Sequence, residues 1–339
     1  SKYVRLNDIL ICVRNGSSAL IGKSGVIDRP YNATFGAFMS VLRGDVTGYI
    51  AHIFTSDIVQ SQIRNRSSAT INQITKRDFE DIVIPIPTKH VEQRAIATAL
   101  SDADAYIAAL EKLLAKKHFI KQGAMQELLT GKRRLPGYRG EWVEKPLLEC
   151  CYLIQGLTYS PSNVQSHGLL VLRSSNIQNG KLSFDDSVFV DCTIDESKYV
   201  QPNDILICVR NGSSSLIGKC CVIDKPYNAT FGAFMSVLRG DVTGYIAHIF
   251  ASDIVQRQIR NRSSATINQI TKGDFENINI PVPPTDKEQI AIAEVLSDMD
   301  VEIDALAAKL AKARIIKQGM MSELLTGNIR LTKEGADNG

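Results

Sequence analysis

The sequence predicts an α+β fold in which two mixed α/β globular domains alternate with two long helices. Three observations predict it: an internal repeat, a change of pattern inside each repeat, and heptad spacing after that change. Residues 1–135 match residues 197–331 without a gap at a constant offset of 196. A unit of that length far exceeds the ~20–50 residues of a solenoid repeat, so it reads as domain duplication. Nine positions differ within residues 1–80 and twenty-four within 81–135. Whatever the early part of each copy contacts is therefore expected to be the same in both.

Each copy begins strand-like. Asp8 to Arg14 is a β-rich apolar run, Asn15-Gly16 is a two-residue hairpin signal, and Leu20 to Ile27 resumes the strand character, a pattern repeated from Asp204 to Ile223. Ile50, Ile53, Phe54, Ile58 and Ile63 fall near helical spacing, with Thr47 as a candidate N-cap. The character changes at Ile84-Pro85-Ile86-Pro87 and at Ile280-Pro281-Val282-Pro283-Pro284.

After the prolines the pattern is purely helical. Ile292, Leu296, Met299, Ile303, Leu306, Leu310 and Ala313 advance by alternating steps of four and three, the a/d seam of a coiled coil. Ile96, Leu100, Ala103, Ile107, Leu110 and Leu114 do the same, with Lys117 at the next seam position. The seam is expected to shift after Ala313 and resume through Ile316, Met320 and Leu324. Each helix is predicted to end at Leu-Leu-Thr-Gly, where Gly131 and Gly327 supply a left-handed cap. From Val91 to Leu129 such a helix is roughly 55–60 Å long. One apolar stripe on so long a helix needs a partner: either its own domain or, as the equal length and phase of the two seams favour, the other helix. Antiparallel pairing would relate the repeats by a pseudo-two-fold axis. The predicted organisation is a first globular domain over 1–88, a helical region over 89–131, a second domain over 132–284, a second helical region over 285–327 and a tail over 328–339. Residues 142–196 have no counterpart before Ser1, so the first domain is expected to be N-terminally incomplete.

Composition narrows the function classes. No run of ~18 apolar residues is present, which excludes a hydropathic membrane span, and a net charge of +3 over 339 residues confines any polyanion site to a local patch. The seven cysteines lack C-x-x-C spacing and predict neither a disulfide framework nor a zinc site. With no charged-then-apolar leader, the expected location is cytoplasmic. Nucleotide-binding, zincin and hydrolase motifs are absent, as is the Asn/Asp-Pro-Pro-Tyr/Phe cluster of adenine methyltransferases. His52 and His248 lack metal-binding neighbours, and Cys12 and Cys208 sit in apolar strands, so packing roles are expected for all four.

The order of motifs resembles the specificity subunits of type I restriction-modification enzymes. It runs Asp204-Ile205-Leu206-Ile207, Arg210-Asn211-Gly212-Ser213, Ile267 to Asp274-Phe275, Ile280-Pro281-Val282-Pro283-Pro284 with Glu288-Gln289, then Lys317-Gln318-Gly319-Met320-Met321 and Leu324-Leu325-Thr326-Gly327. The first copy repeats it through Glu92-Gln93, Lys121-Gln122-Gly123 and Leu128-Leu129-Thr130-Gly131-Lys132. The resemblance implies two target recognition domains, each reading half of a bipartite double-stranded DNA target, and two helical regions paired as an antiparallel coiled coil that sets the spacer. It implies a chain with no cofactor and no chemistry of its own, docking two modification subunits that bind S-adenosylmethionine and methylate adenine, and through them motor-nuclease restriction subunits, with no membrane partner. The same motifs fit the DNA-reading subunit of a related type IIB-like or orphan methyltransferase system. A self-contained DNA-acting enzyme is the reading from another class.

Candidate DNA contacts follow from residue chemistry. Arg64, Arg66, Ser67, Asn72 and Gln73, repeated as Arg260, Arg262, Ser263, Asn268 and Gln269, join arginine with the amide and hydroxyl side chains that pair with guanine, adenine and phosphate. A solvated loop has the same composition. Lys76 and Lys272 follow as phosphate candidates. Arg14, Asn15, Ser17 and Lys23, with Arg210, Asn211, Ser213 and Lys219, form a second cluster, although turn chemistry alone explains Asn15-Gly16. Thr158, Tyr159, Arg173, Ser174 and Asn176 form a third, found in the second copy alone.

Overall fold

The computed structural model describes residues 3–43, 48–67, 72–240, 244–263 and 268–331. In chain order the first repeat comprises β1 (Ile9–Cys12), β2 (Ser24–Val26), β3 (Met39–Leu42), α1 (Gly48–Thr55), α2 (Asp57–Ser67), α3 (Lys76–Glu80) and the long helix α4 (His90–Leu128). There follow β4 (Val143–Pro146), β5 (Tyr152–Gln155), β6 (Val164–Gln165), β7 (Leu169–Leu172), β8 (Ile177–Gln178), β9 (Lys181–Leu182) and β10 (Val188–Val190). The second repeat supplies β11 (Ile205–Cys208), β12 (Cys220–Val222), β13 (Ala229–Phe231), β14 (Met235–Arg239), α5 (Gly244–Ala251), α6 (Asp253–Ser263), α7 (Lys272–Glu276), β15 (Asn279–Val282) and α8 (Asp286–Thr326). The fold is α+β, with small sheets and two helices much longer than the rest. The chain divides into two compact units, residues 1–115 with 305–339, and residues 116–304.

In the first unit β2, β1 and β3 form an antiparallel sheet with Ile9 opposite Val26 and Leu42. Strand alternation places Ile9 and Ile11 on the helical side, where Tyr49, Ile53, Val59, Ile63, Ile96 and Leu100 close a core. Leu324 and Leu325 of α8 complete it. The opposite face, with Leu10, Cys12, Met39 and Val41, is half-exposed.

In the second unit the equivalent strands gain a neighbour, giving the order β12-β11-β14-β5, and a second sheet runs β13-β7-β10-β6. Both faces of β11 are consequently buried. Ile205 and Ile207 join the helical core with Tyr245, Ile249, Ile292 and Leu296, which Leu128 and Leu129 of α4 complete. Leu206 and Cys208 pack on Leu170, Leu172 and Phe231. The layers touch closely where Gly156 meets Gly232: a Cβ on Gly156 would sit 2.0 Å from the Gly232 carbonyl oxygen, so no larger residue fits.

Local chemistry explains the element ends. Thr75 with Asp78, and Thr271 with Asp274, form reciprocal capping boxes on α3 and α7. The apolar run from Ile50 to Ile63 is two helices rather than one: the Ser56 hydroxyl donates to the Ile53 carbonyl at 2.6 Å and its own carbonyl accepts from Gln60 N, starting a new helix. The proposed N-cap Thr47 lies outside the described residues. Gly131 and Gly327 have φ of +68° and +79°, the left-handed conformation that ends α4 and α8.

Two expectations are corrected. Asn15-Gly16 is not a two-residue hairpin. β1 ends at Cys12 and β2 starts at Ser24, with a 3-10 turn over Ser18–Leu20 between them, and neither Asn15 nor Gly16 has the positive φ a type I′ turn requires. The heptad seam does not shift after Ala313. Ile316 is 52% exposed, and the steps of four and three continue through Lys317 to Met320 and Leu324. Lysine is tolerated on the seam because Lys317 Nζ donates to Asp104 at 2.5 Å, as Lys121 Nζ does to Asp300 at 2.5 Å. Leu110, Leu310 and Ala313 form an apolar cluster with Ile107, Leu114 and Leu306.

Candidate nucleic-acid interface

In each unit the polypeptide after the first strand of the repeat is zipped to the polypeptide before the short capped helix. Ile74 N donates to Val13 O at 2.8 Å, Arg14 bridges Gln73, and Asn72 Nδ2 donates to Gly16 O at 3.1 Å. Asn72 holds this position with φ of +47°, a conformation asparagine tolerates better than most residues. Asn15 Oδ1 accepts from Ser17 N at 3.0 Å, closing an Asx turn. In the second unit Ile270 N to Val209 O is 2.8 Å, Arg210 bridges Gln269, Asn268 has φ of +49° and bonds Gly212 O at 3.1 Å, and Asn211 caps Ser213 N at 3.0 Å.

These turns present the same pair of side chains. The Arg14 guanidinium lies 5.4 Å from the Phe38 ring centre and the Arg210 guanidinium 5.3 Å from that of Phe234. Both arginines are exposed, and the rings are 57% and 56% exposed. An exposed aromatic on a tight turn suits stacking or thymine-methyl contact, with the cation held over its face. Phe38 and Phe234 were not among the sequence candidates. Each follows a Gly-Ala pair and leads into an apolar strand, so the sequence around it carries no signal of exposure.

At the end of the same strands away from the patch, a buried carboxylate anchors the sheet. Asp204 accepts from Arg239 Nε at 2.7 Å and Nη2 at 2.6 Å. The equivalent Arg43 guanidinium holds the Asp8 carboxyl below its usual range. Exposed Lys23 and half-buried Lys219 add positive charge, and Lys219 Nζ donates to the Ser174 carbonyl at 3.3 Å.

The Arg64–Gln73 and Arg260–Gln269 segments differ from the expected loops. Arg64, Arg66, Ser67, Arg260, Arg262 and Ser263 are helical, in α2 and α6. Residues 68–71 and 264–267 lie outside the described residues. Ser67 and Ser263 are buried and donate to the carbonyls of Arg64 and Arg260, so the interior, not a ligand, uses them. Arg66 donates to the Gln62 and Asp81 carbonyls, and Arg262 to those of Gln258 and Asn277. Their planar forks staple the helix to the turn after the capped helix. Arg64 and Arg260 are exposed beside Asp57 and Asp253 at 3.8 Å, and Lys76 and Lys272 are exposed.

The third cluster divides. Asn176 is fully buried and donates to Ser183 O and Asp186 O, a structural role that removes it from contact. Arg173 pairs with Asp186 at 2.7 Å, while Ser174 Oγ accepts from Asn211 Nδ2 at 3.0 Å, joining this turn to the Arg210 patch. Thr158 is exposed, and Tyr159 packs on Leu169, Val171 and Val190.

Burial pushes the thiols of Cys151, Cys220 and Cys221 up to about 12, the opposite of thiolate activation. Among the described residues no cluster of three or more His, Cys, Asp or Glu side chains is placed to hold a metal ion, and no helix is long and apolar enough to cross a membrane.

The family model described as the type I restriction modification DNA specificity domain matches residues 2–118 and 140–313. The chain belongs to this family. It is 34% identical to the EcoKI specificity subunit of Escherichia coli K12 over 57% of this chain and 44% of that one, and 33% identical to the StySPI specificity subunit of Salmonella potsdam over 56% and 43%. It therefore spans less than half the length of these two type I relatives. The MjaVIII specificity subunit of Methanocaldococcus jannaschii is 24% identical, over 98% of this chain and 83% of that one. The type I specificity fold is shared with the S subunit of M. genitalium, with a TM-score of 0.65 and 16% identity over 96% of this chain and 84% of that one. A chain from a type I restriction-modification system, described for complex assembly and conformational transition, gives a TM-score of 0.58 and 19% identity over 96% and 83%.

Proposed function

We propose that this chain is the DNA-reading subunit of a type I restriction-modification complex, each globular domain reading one half of a bipartite target. The observation that carries the reading is the exposed arginine stacked on an exposed phenylalanine, held by the same asparagine-zipped turns in both units of a specificity-family chain. Arg14, Lys23, Phe38, Arg210, Lys219 and Phe234 are the base and phosphate contacts on this reading. Arg64, Arg260, Lys76 and Lys272 track the backbone, since phosphate contacts position the protein without carrying sequence information.

The long helices act as an antiparallel coiled coil, spacer ruler and docking scaffold. Supporting this, Glu92 pairs with Arg330, Asp104 with Lys317 and Glu111 with Arg314 in one unit, and Lys117 with Glu302 and Lys121 with Asp300 in the other. In each, position rises along one helix as it falls along the other. Exposed Phe119 and Ile120 on α4, and Ile315 and Ile316 on α8, supply apolar surface for two modification subunits. Those partners bring S-adenosylmethionine and adenine methylation, and the restriction subunits bring cleavage. This chain contributes selection and geometry.

Insertion of four residues near both Leu110 and Leu306 tests the ruler. Half-sites about one turn apart on B-DNA lie ~34 Å centre to centre, within reach of helices of roughly 55–60 Å. The permitted spacer should change while the half-sites stay the same. An unchanged spacer with retained DNA binding would refute it. Purified chain that methylates or cleaves DNA without partner subunits would refute the non-catalytic role.

A further inference from the structure

We infer that the two domains select the same short sequence, so that the target is an inverted repeat of one half-site rather than two unrelated halves. The inference rests on the DNA-reading function proposed above and specifies its substrate. Base selection depends on which donors, acceptors and apolar groups are offered, and on the backbone that aims them. Here both are duplicated. Arg14 and Arg210 lie 5.4 and 5.3 Å from their phenylalanine rings. Asn72 and Asn268 have φ of +47° and +49°.

The nine differences between residues 1–80 and 197–276 leave this patch untouched. Ala19 becomes Ser215, whose hydroxyl is engaged by Ser213 at 2.8 Å. Arg29 becomes Lys225, and each remains a cation over a tyrosine ring, at 5.1 and 5.5 Å. Ser61 becomes Arg257, which pairs along its own helix with Asp253 at 3.7 Å. Gly25 becomes Cys221, which is buried.

Arg173 and Ser174 lie in the segment that leads into the second copy, and both have partners there. Arg173 pairs with Asp186, and the Ser174 hydroxyl and carbonyl accept from Asn211 and Lys219. They position the shared patch. Inversion rather than direct repetition follows from the antiparallel pairing proposed for α4 and α8.

The test is methylation mapping in cells carrying the modification subunits with and without this chain. One sequence and its reverse complement should flank a fixed gap at every modified site. Two unrelated half-sites would overturn the inference while leaving the DNA-reading function intact. A direct repeat would overturn the inverted arrangement. No methylation dependent on the chain would overturn the DNA-reading function and the inference with it. In the assembled complex, Arg14→Ala and Arg210→Ala should each lower the ratio of target to off-target DNA affinity by a similar factor, on the order of tenfold. An effect confined to Arg210→Ala would also overturn the inference.

Discussion

Glu92 and Arg330 form a two-pronged ion pair, Nε to Oε1 at 2.5 Å and Nη2 to Oε2 at 2.6 Å, with the Glu92 side chain wholly buried. Their repeat equivalents Glu288 and Arg134 pair in the same way at 2.5 and 2.7 Å. Each joins the first turn of one long helix to the residues just beyond the end of the other.

This pair makes stability sensitive to acid. The Arg330 guanidinium holds the Glu92 carboxyl below its usual value. A depressed carboxylate contributes fully above the unfolded value of ~4.3, and its contribution is lost as pH falls through the folded value. The urea midpoint should therefore fall more steeply below pH ~4.5 in the parent than in Glu92→Gln, which should be less stable at pH 7. Parallel curves would exclude Glu92 as an acid-sensitive group.

A second dependence lies nearer neutrality. His248 hydrogen-bonds Ser297 and His52 hydrogen-bonds Ser101. Burial lowers both histidines; Lys121 beside His248 and Lys317 beside His52 push the same way, against Asp300 and Asp104. The folded state disfavours their charged forms, so their contribution is complete above the unfolded value of ~6.5 and declines as pH falls toward the folded values. Replacing both by glutamine should flatten the urea midpoint between pH 7 and 5.5. An unchanged slope would place the sensitivity elsewhere.

Leu325 is fully buried in the core of the first unit. Leu325→Ala should cost ~2–5 kcal/mol of that unit's stability. Hydrogen exchange should accelerate in β1 and α1, although these are encoded more than 310 and some 270 positions earlier. Acceleration confined to α8 would contradict the shared core.

Exchange in the unmodified protein should also differ between near-identical strands. Leu10 and Cys12 are half-exposed, whereas Leu206 and Cys208 are fully buried under a second sheet. The β1 amides should exchange faster than those of β11, because burial on both faces raises the cost of local opening. Equal protection would show that the helical face alone sets it.

At the candidate interface, Arg210→Ala should cost ~1–3 kcal/mol of discrimination in one half-site. Lys272→Ala should weaken all sequences alike and lower the salt slope by ~1. Arg262→Ala should instead lower the melting temperature, because its guanidinium joins α6 to the Asn277 carbonyl. Discrimination lost through Arg262→Ala at unchanged melting temperature would return that residue to the readers.

What was legible in the sequence was whatever periodicity and local chemistry decide. The duplicated organisation, the long helices, and the glycines ending them follow from spacing and from the left-handed cap. The sequence is silent where a partner distant along the chain decides the local geometry. Asn15-Gly16 carries a hairpin signal, but Asn72 bonds the Gly16 carbonyl and holds a wider turn. The Arg66 and Arg262 guanidinium groups find backbone carbonyls fifteen residues away, which composition cannot reveal. Lys317 breaks the apolar seam only until Asp104 is placed opposite it.

The completion of the first core by Leu324 and Leu325 has a consequence for synthesis. The second unit, residues 116–304, is continuous in the chain, but the first draws on both sides of it. At ~5–20 residues per second, the ribosome needs roughly 15–55 s after making α1 to reach the leucines that close its core. During that interval an apolar helical surface awaits its last two residues. The domain encoded first is thus the last to finish folding, and nascent chains stalled before Leu324 should be the ones that chaperones hold.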